Sequence, residues 1–216
     1  MKNTTLSLKH IVITTFLFVM IPIFARIINI FVVQETIALM ISMNLIGAAI
    51  IMYNWDLFEL HYNRTIGNKD ITFYVMIDLI TIAIFFFIAN RFFGSHILIA
   101  DKDALIAYGH ARLGMVFAFS FIESCVVNIT FKCITDHLDI KEKELQVVLT
   151  TAILFGFLLT IVFTPLHFSE FIRTYVYNIF LVSILSYSYN QTNSILPGTF
   201  AMGLIYLIVL LFNIYS

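Results

Sequence analysis

The chain has 216 residues, of which 61% are hydrophobic and only 12% are charged. Soluble domains carry about 25% charged residues, so this composition excludes a water-soluble globular enzyme. The abundant bulky apolar side chains exclude a disordered chain. Twelve Lys and Arg against 13 Asp and Glu provide no basic surface for nucleic acid. We therefore predict a multi-pass membrane protein surrounded by membrane lipid.

Seven apolar windows of about 20 residues predict transmembrane helices, because this length crosses the hydrocarbon layer. The windows are 10–33, 36–55, 71–90, 113–131, 145–164 and two spans after Arg173, which the polar run 189–194 separates. The predicted fold is an all-α bundle of about seven transmembrane helices forming one domain, 1–216. With a cytoplasmic N-terminus, seven Lys and Arg residues lie on the cytoplasmic side and five on the outer side, which favours this orientation. We expect the protein to lie in the bacterial cell membrane.

Two acidic side chains lie well inside these windows. Glu123 is near the middle of the fourth, and Asp78 is about a third of the way along the third. An ionisable group at membrane depth costs about 2.5 to 3.5 kcal/mol on insertion, so both are candidate functional residues. The other members of the predicted polar cluster are Ser120, Ser124, Asn128 and Tyr206.

Two interpretations of Glu123 remain open. Either it is a protonated acid that serves helix packing, or it activates water or binds a ligand. For Asp78 we expect a structural partner such as Arg26 or Arg91. The tyrosines and phenylalanines of the spans are interpreted as lipid-facing or packing residues.

The sequence lacks the usual motifs of metal and nucleotide sites. All six histidines lie at or beyond the ends of the predicted spans. HExxH, CxxC and a glycine-rich phosphate loop do not occur. We therefore expect no metal and no cofactor.

Three stretches of the second half carry a pattern that is similar to a known family. The fourth window contains ESCVVN from Glu123, the fifth contains ILFGFLL ending at Leu159, and Pro197 opens a last helix that contains Met202 and Tyr206. In order and spacing these stretches, about 113–216, resemble the CAAX protease and bacteriocin-processing (CPBP) family of membrane proteins, also called the Abi family.

The resemblance implies which positions would carry the family's motifs EExxxR, FxxxH and HxxxN. The first glutamate corresponds to Glu123, and the phenylalanine corresponds to Phe155. The histidines correspond to Leu159 and Met202. The remaining positions are occupied by Ser124, Asn128 and Tyr206.

Active family members use the glutamate and two histidines to activate a water that attacks a peptide bond. Leu159 and Met202 can neither accept a proton nor donate a hydrogen bond. The leading hypothesis is therefore a pseudoprotease that binds another membrane protein or a peptide, as a regulator, bacteriocin-immunity factor or accessory subunit. One alternative is an intramembrane endopeptidase in which Glu123 is catalytic. A second alternative is a small-molecule-binding subunit of a transporter.

Overall fold

The computed structural model describes residues 7–32, 35–67, 69–93, 111–137, 144–163 and 168–215. These residues form eight α-helices and no strand, which confirms the predicted all-α class. In chain order the helices are α1 (Leu8–Val32), α2 (Glu35–Tyr53), α3 (Trp55–Ile66), α4 (Ile71–Phe93), α5 (Ala111–His137), α6 (Glu144–Phe163), α7 (Phe168–Thr192) and α8 (Leu196–Tyr215).

Within these residues, α1, α4 and α5 are long and apolar enough to cross a membrane. α2 and α3 add a fourth span if the pair, which is bent by 75°, crosses as one unit. The apolar stretches of α6 and α8 are shorter, at Gln146–Ile161 and Leu196–Leu211. Every predicted window coincides with a helix, whereas the count of seven spans stays a prediction.

α5 is the most enclosed of the three long apolar helices. It packs against α1, α2, α6 and α8. In α5, 56% of the apolar span is buried, compared with 22% in α1 and 11% in α4. Glu123, at the middle of α5, is consequently buried inside the bundle.

Glycines set the distance between several helices. A Cβ added at Gly47 in α2 would lie 2.5 Å from Cγ2 of Ile122 in α5. A Cβ at Gly156 in α6 would lie 3.1 Å from the backbone nitrogen of Ile179 in α7. Small residues at helix interfaces let backbones approach closely, and van der Waals packing then holds the helices together.

Asn54 holds the bend between α2 and α3. Its side-chain nitrogen donates to the Ile50 carbonyl and to the Thr14 hydroxyl, each at 2.9 Å. Its side-chain oxygen accepts from the Cys133 thiol at 3.9 Å. One buried amide thus connects α1, α2 and α5 at the bend.

Gly47→Ala is expected to lower stability by about 1–3 kcal/mol, which is the usual cost of overpacking. Ile122 and Val126, the side chains that meet the new methyl group, are β-branched and have little rotamer freedom to move away. The thermal unfolding midpoint of the purified protein in detergent measures the effect. Gly114→Ala in α5 is the matched control, because its added Cβ would meet no atom of another helix within 4 Å among the described residues. Equal midpoints for the two variants would contradict this account of the α2–α5 contact.

Candidate functional site

Glu123 is a buried carboxylic acid at the centre of the bundle. The residue is 8% exposed, and its Oε2 atom is buried without a hydrogen-bond partner among the described residues. Its carboxyl group interacts electrostatically with the hydroxyl groups of Tyr177 in α7 and Tyr206 in α8. These three residues from three helices form what we call the central cluster.

The two tyrosines of the central cluster are themselves buried, at 2% and 5% exposure. Their hydroxyl groups interact with each other, although the Tyr177 hydroxyl makes no hydrogen bond of ordinary geometry. The Tyr177 ring stacks on Phe85 of α4, with ring centroids 5.1 Å apart. Each phenol can both donate and accept a hydrogen bond, so the cluster can hold a polar group that enters it.

The small polar residues of α5 do not turn toward Glu123. The Ser120 and Ser124 hydroxyls donate to the carbonyls of Val116 and Ser120, each at 2.8 Å. The Asn128 amide donates to the Ser124 carbonyl at 2.9 Å. These bonds to the preceding turn satisfy the donors within the helix itself. Of the predicted polar cluster, Tyr206 is the member that interacts with Glu123 in the described part of the chain.

Asp78 belongs to a different contact. The Ser188 hydroxyl of α7 donates a hydrogen bond to its carboxyl group, and both side chains are buried. Arg26 and Arg91, the partners expected from the sequence, are exposed. Asp78 therefore joins α4 to α7 through a serine, in place of the expected arginine.

The family-motif positions outside α5 are part of the apolar core. Phe155, Leu159 and Met202 are 0%, 2% and 1% exposed, respectively. The Phe155 ring lies 6.1 Å from those of Phe18 and Phe131. These three side chains cannot move protons. In the described residues no group of three or more His, Cys, Asp or Glu side chains could hold a metal ion.

Tyr177 and His61 are two of the buried polar residues that were not predicted from the sequence. Tyr177 was assigned with the other tyrosines to packing or lipid, because a tyrosine in an apolar window gives no sign of its partner. His61, beyond the second predicted span, is fully buried between α3 and the rest of the bundle. Burial, followed by the charges of Lys132 and Arg64, lowers the pKa of His61 to about 3.

Glu123→Met is expected to raise the thermal midpoint, because it removes a buried polar group with an unpartnered oxygen. Asp78→Leu is the matched substitution at a buried acid that has a partner. It should lower stability by about 1–3 kcal/mol, since it leaves the Ser188 hydroxyl without its acceptor. Unfolding of both variants in the same detergent tests the contrast, and a fall in midpoint for Glu123→Met would show that the acid is satisfied in the folded protein.

His61 should make the protein less stable in acid. Its pKa is 6.5 when unperturbed and about 3 in the folded protein. The unfolded chain therefore binds the extra proton first as the pH falls. The neutral ring's contribution to the free energy of unfolding is complete above pH 6.5. It is lost as the pH falls toward 3, by about 4 kcal/mol over this range.

Thermal midpoints measured between pH 4 and 8 test this dependence on His61. His61→Phe should flatten the profile relative to the wild type. A wild-type slope in His61→Phe would assign the pH dependence to other groups.

Comparisons with known proteins add no assignment to these observations. No family model, no curated protein and no solved structure matches the chain. The likeness to the CPBP family therefore rests on the motif positions described above, and the function is inferred from the chain's own residues.

Proposed function

We propose that the chain is a multi-pass protein of the cell membrane, a non-catalytic relative of the CPBP proteases that binds another membrane protein or a peptide at the central cluster. The observation that carries the proposal is Glu123 itself, a buried acid whose Oε2 atom is unpartnered. In the described part of the chain, two tyrosine hydroxyls interact with it and no histidine does.

The chemistry of the central cluster favours binding over peptide hydrolysis. Hydrolysis needs a base that accepts a proton from water near neutral pH, together with a donor for the oxyanion. Tyr206 can supply a donor. The resemblance places the histidine partners at Leu159 and Met202, which are buried apolar residues, so a second proton-transfer group is lacking there.

An unsatisfied polar atom favours a polar occupant of the cluster. The Oε2 atom of Glu123 is buried without a hydrogen-bond partner among the described residues, and leaving such a group unpaired costs about 1–3 kcal/mol. A peptide offers the matching chemistry, because its backbone N–H groups donate to a carboxyl or phenol oxygen. Binding of a peptide or of an unwound segment of a membrane partner would recover part of this cost.

The arrangement of α8 supports the family likeness. Met202 and Tyr206 are four residues apart and therefore lie on one face of the helix. Tyr206 interacts with Glu123, so this face of α8 is turned toward the acid. The resemblance requires this orientation, because it places the motif histidine and asparagine at these two positions.

An endopeptidase that depends on Glu123 is the second candidate. The observation in its favour is the interaction between Glu123 and Tyr206, since a phenol can stabilise an oxyanion. This candidate predicts slow cleavage that disappears in Glu123→Gln.

Two assays on protein reconstituted in nanodiscs distinguish these candidates. In the first, a fluorogenic single-span peptide is incubated with wild-type protein and with Glu123→Gln. We expect no cleavage by either protein, and cleavage by the wild type alone would establish the endopeptidase.

In the second assay, binding of the same peptide is measured by fluorescence anisotropy. Glu123→Gln keeps an oxygen acceptor and should bind like the wild type, whereas Glu123→Met should bind more weakly. Equal binding by Glu123→Met would remove the central cluster as the binding site.

Restoring the motif tests the family likeness separately. The double substitution Leu159→His with Met202→His should create a three-ligand site with Glu123, because the resemblance brings these positions together. Binding of Co²⁺, followed by its visible absorption, is the measurement. Adding Glu123→Gln to the double variant should abolish this absorption. A folded double variant that binds no Co²⁺ would overturn the likeness.

A further inference from the structure

A second group of polar residues, of which His61 and Lys132 are buried, lies where α3, the end of α5 and the turn between α7 and α8 meet. We call it the terminal cluster, and its members are His61, Arg64, Lys132, Tyr189 and Asn193. The Tyr189 ring is at its centre. The Lys132 ammonium lies 4.7 Å from the centroid of this ring, and the His61 ring meets it edge-on at 6.0 Å.

The terminal cluster concentrates positive charge around a buried imidazole ring. His61 is 0% exposed. Among the described residues its ring nitrogens make no hydrogen bond of ordinary geometry, although the ring interacts with the backbone of Asn193. Among the described residues, the charges that act on this ring are those of Lys132 and Arg64, both positive. Lys132 is only 5% exposed. A neutral imidazole can donate one hydrogen bond, so an anion placed here would meet two cations and a donor.

The contact that closes the outer side of the terminal cluster is weak. The Arg64 guanidinium donates to the backbone and side-chain oxygens of Asn193, at 3.2 and 3.4 Å, in an exposed position. Both acceptors are neutral. Hydrogen bonds from Arg to a charged oxygen are shorter and about twice as strong, so an anion would replace Asn193 as the partner of Arg64.

The exposed face of α3 indicates where such an anion would come from. Trp55, Tyr62 and Ile66 lie on one side of α3 and are 54%, 51% and 68% exposed. Tryptophan and tyrosine are enriched where proteins meet the headgroup region of a bilayer. Because α3 is bent by 75° from α2, this aromatic side is directed differently from the apolar sides of the long helices.

We propose that the terminal cluster binds a phosphate group, with Arg64 and Lys132 holding the phosphate oxygens and His61 donating from the inner side. Basic pockets between transmembrane helices commonly hold anionic lipid headgroups. A phospholipid or free phosphate supplies the same chemistry. The lipid source rests on the proposed membrane location, whereas the site itself does not depend on Glu123 or on the proposed function.

Two probes distinguish the sources. Purified protein is placed in nanodiscs of phosphatidylcholine alone or with one part in five phosphatidylglycerol, and its thermal midpoint is measured. In parallel, inorganic phosphate is titrated into protein in neutral detergent at constant ionic strength, with chloride as the reference. We expect phosphatidylglycerol to raise the midpoint. A rise with inorganic phosphate alone would instead assign free phosphate, and no rise with either probe would overturn the proposal.

Substitutions of single arginines test whether the probe binds at the terminal cluster. Arg64→Gln should weaken the binding of the effective probe about tenfold, which corresponds to about 1.4 kcal/mol. The affinity of Arg64→Lys for the probe should lie between those of Arg64→Gln and wild type, because lysine keeps the charge and loses the paired donors. Arg91→Gln, at an exposed arginine of α4, is the matched control and should bind like wild type. An equal loss of affinity in Arg64→Gln and Arg91→Gln would show a general charge effect and overturn the proposed phosphate site. Glu123→Gln should keep phosphate binding whatever the outcome of the peptide assays.

Discussion

The whole bundle depends on burying α5, a helix with several polar side chains, among apolar neighbours. This is achieved because the serine and asparagine side chains bond to carbonyls of their own helix. Such bonds leave a surface that neighbouring helices can approach closely, as α2 does at Gly47. Glu123 and Thr130 are exceptions on this helix, because the Oε2 atom of Glu123 and the Oγ1 atom of Thr130 have no hydrogen-bond partner among the described residues. The hydrogen bonds within α5 that let its neighbours pack closely therefore also leave the Glu123 carboxyl group without these side chains as partners.

The two polar clusters have opposite electrostatic character. The central cluster contains an acid and two phenols from α5, α7 and α8, whereas the charges of the terminal cluster are cations. Both clusters are connected through α7 and α5, since Tyr177 and Tyr189 lie on one helix and Glu123 and Lys132 on the other. A rotation of either helix would change both clusters together.

Much of the fold could be predicted from the sequence, because apolar windows and isolated acids are local features. The windows coincide with helices, and Glu123 and Asp78 are buried as their positions indicated. Partners were harder to predict, since they depend on how helices rotate against one another. Tyr206 was included in the predicted cluster. Ser188 and Tyr177 were not, because a serine or tyrosine within an apolar helix has no pattern that points to a partner.

The hydrogen bonds of Asn54 fix the start of α3 against the neighbouring helices. Its amide is bonded on one side to Thr14 of α1 and on the other to the last turn of α2. α3 carries His61 and Arg64 about two to three turns beyond this anchor. A ligand that pulls Arg64 away from Asn193 therefore cannot move α3 alone. A shift of α3 would strain the Asn54 contacts with α1 and α5 and the hydrogen bonds of Thr65 and His61 with Ser194, so a ligand at the terminal cluster would act on the helix that carries Glu123.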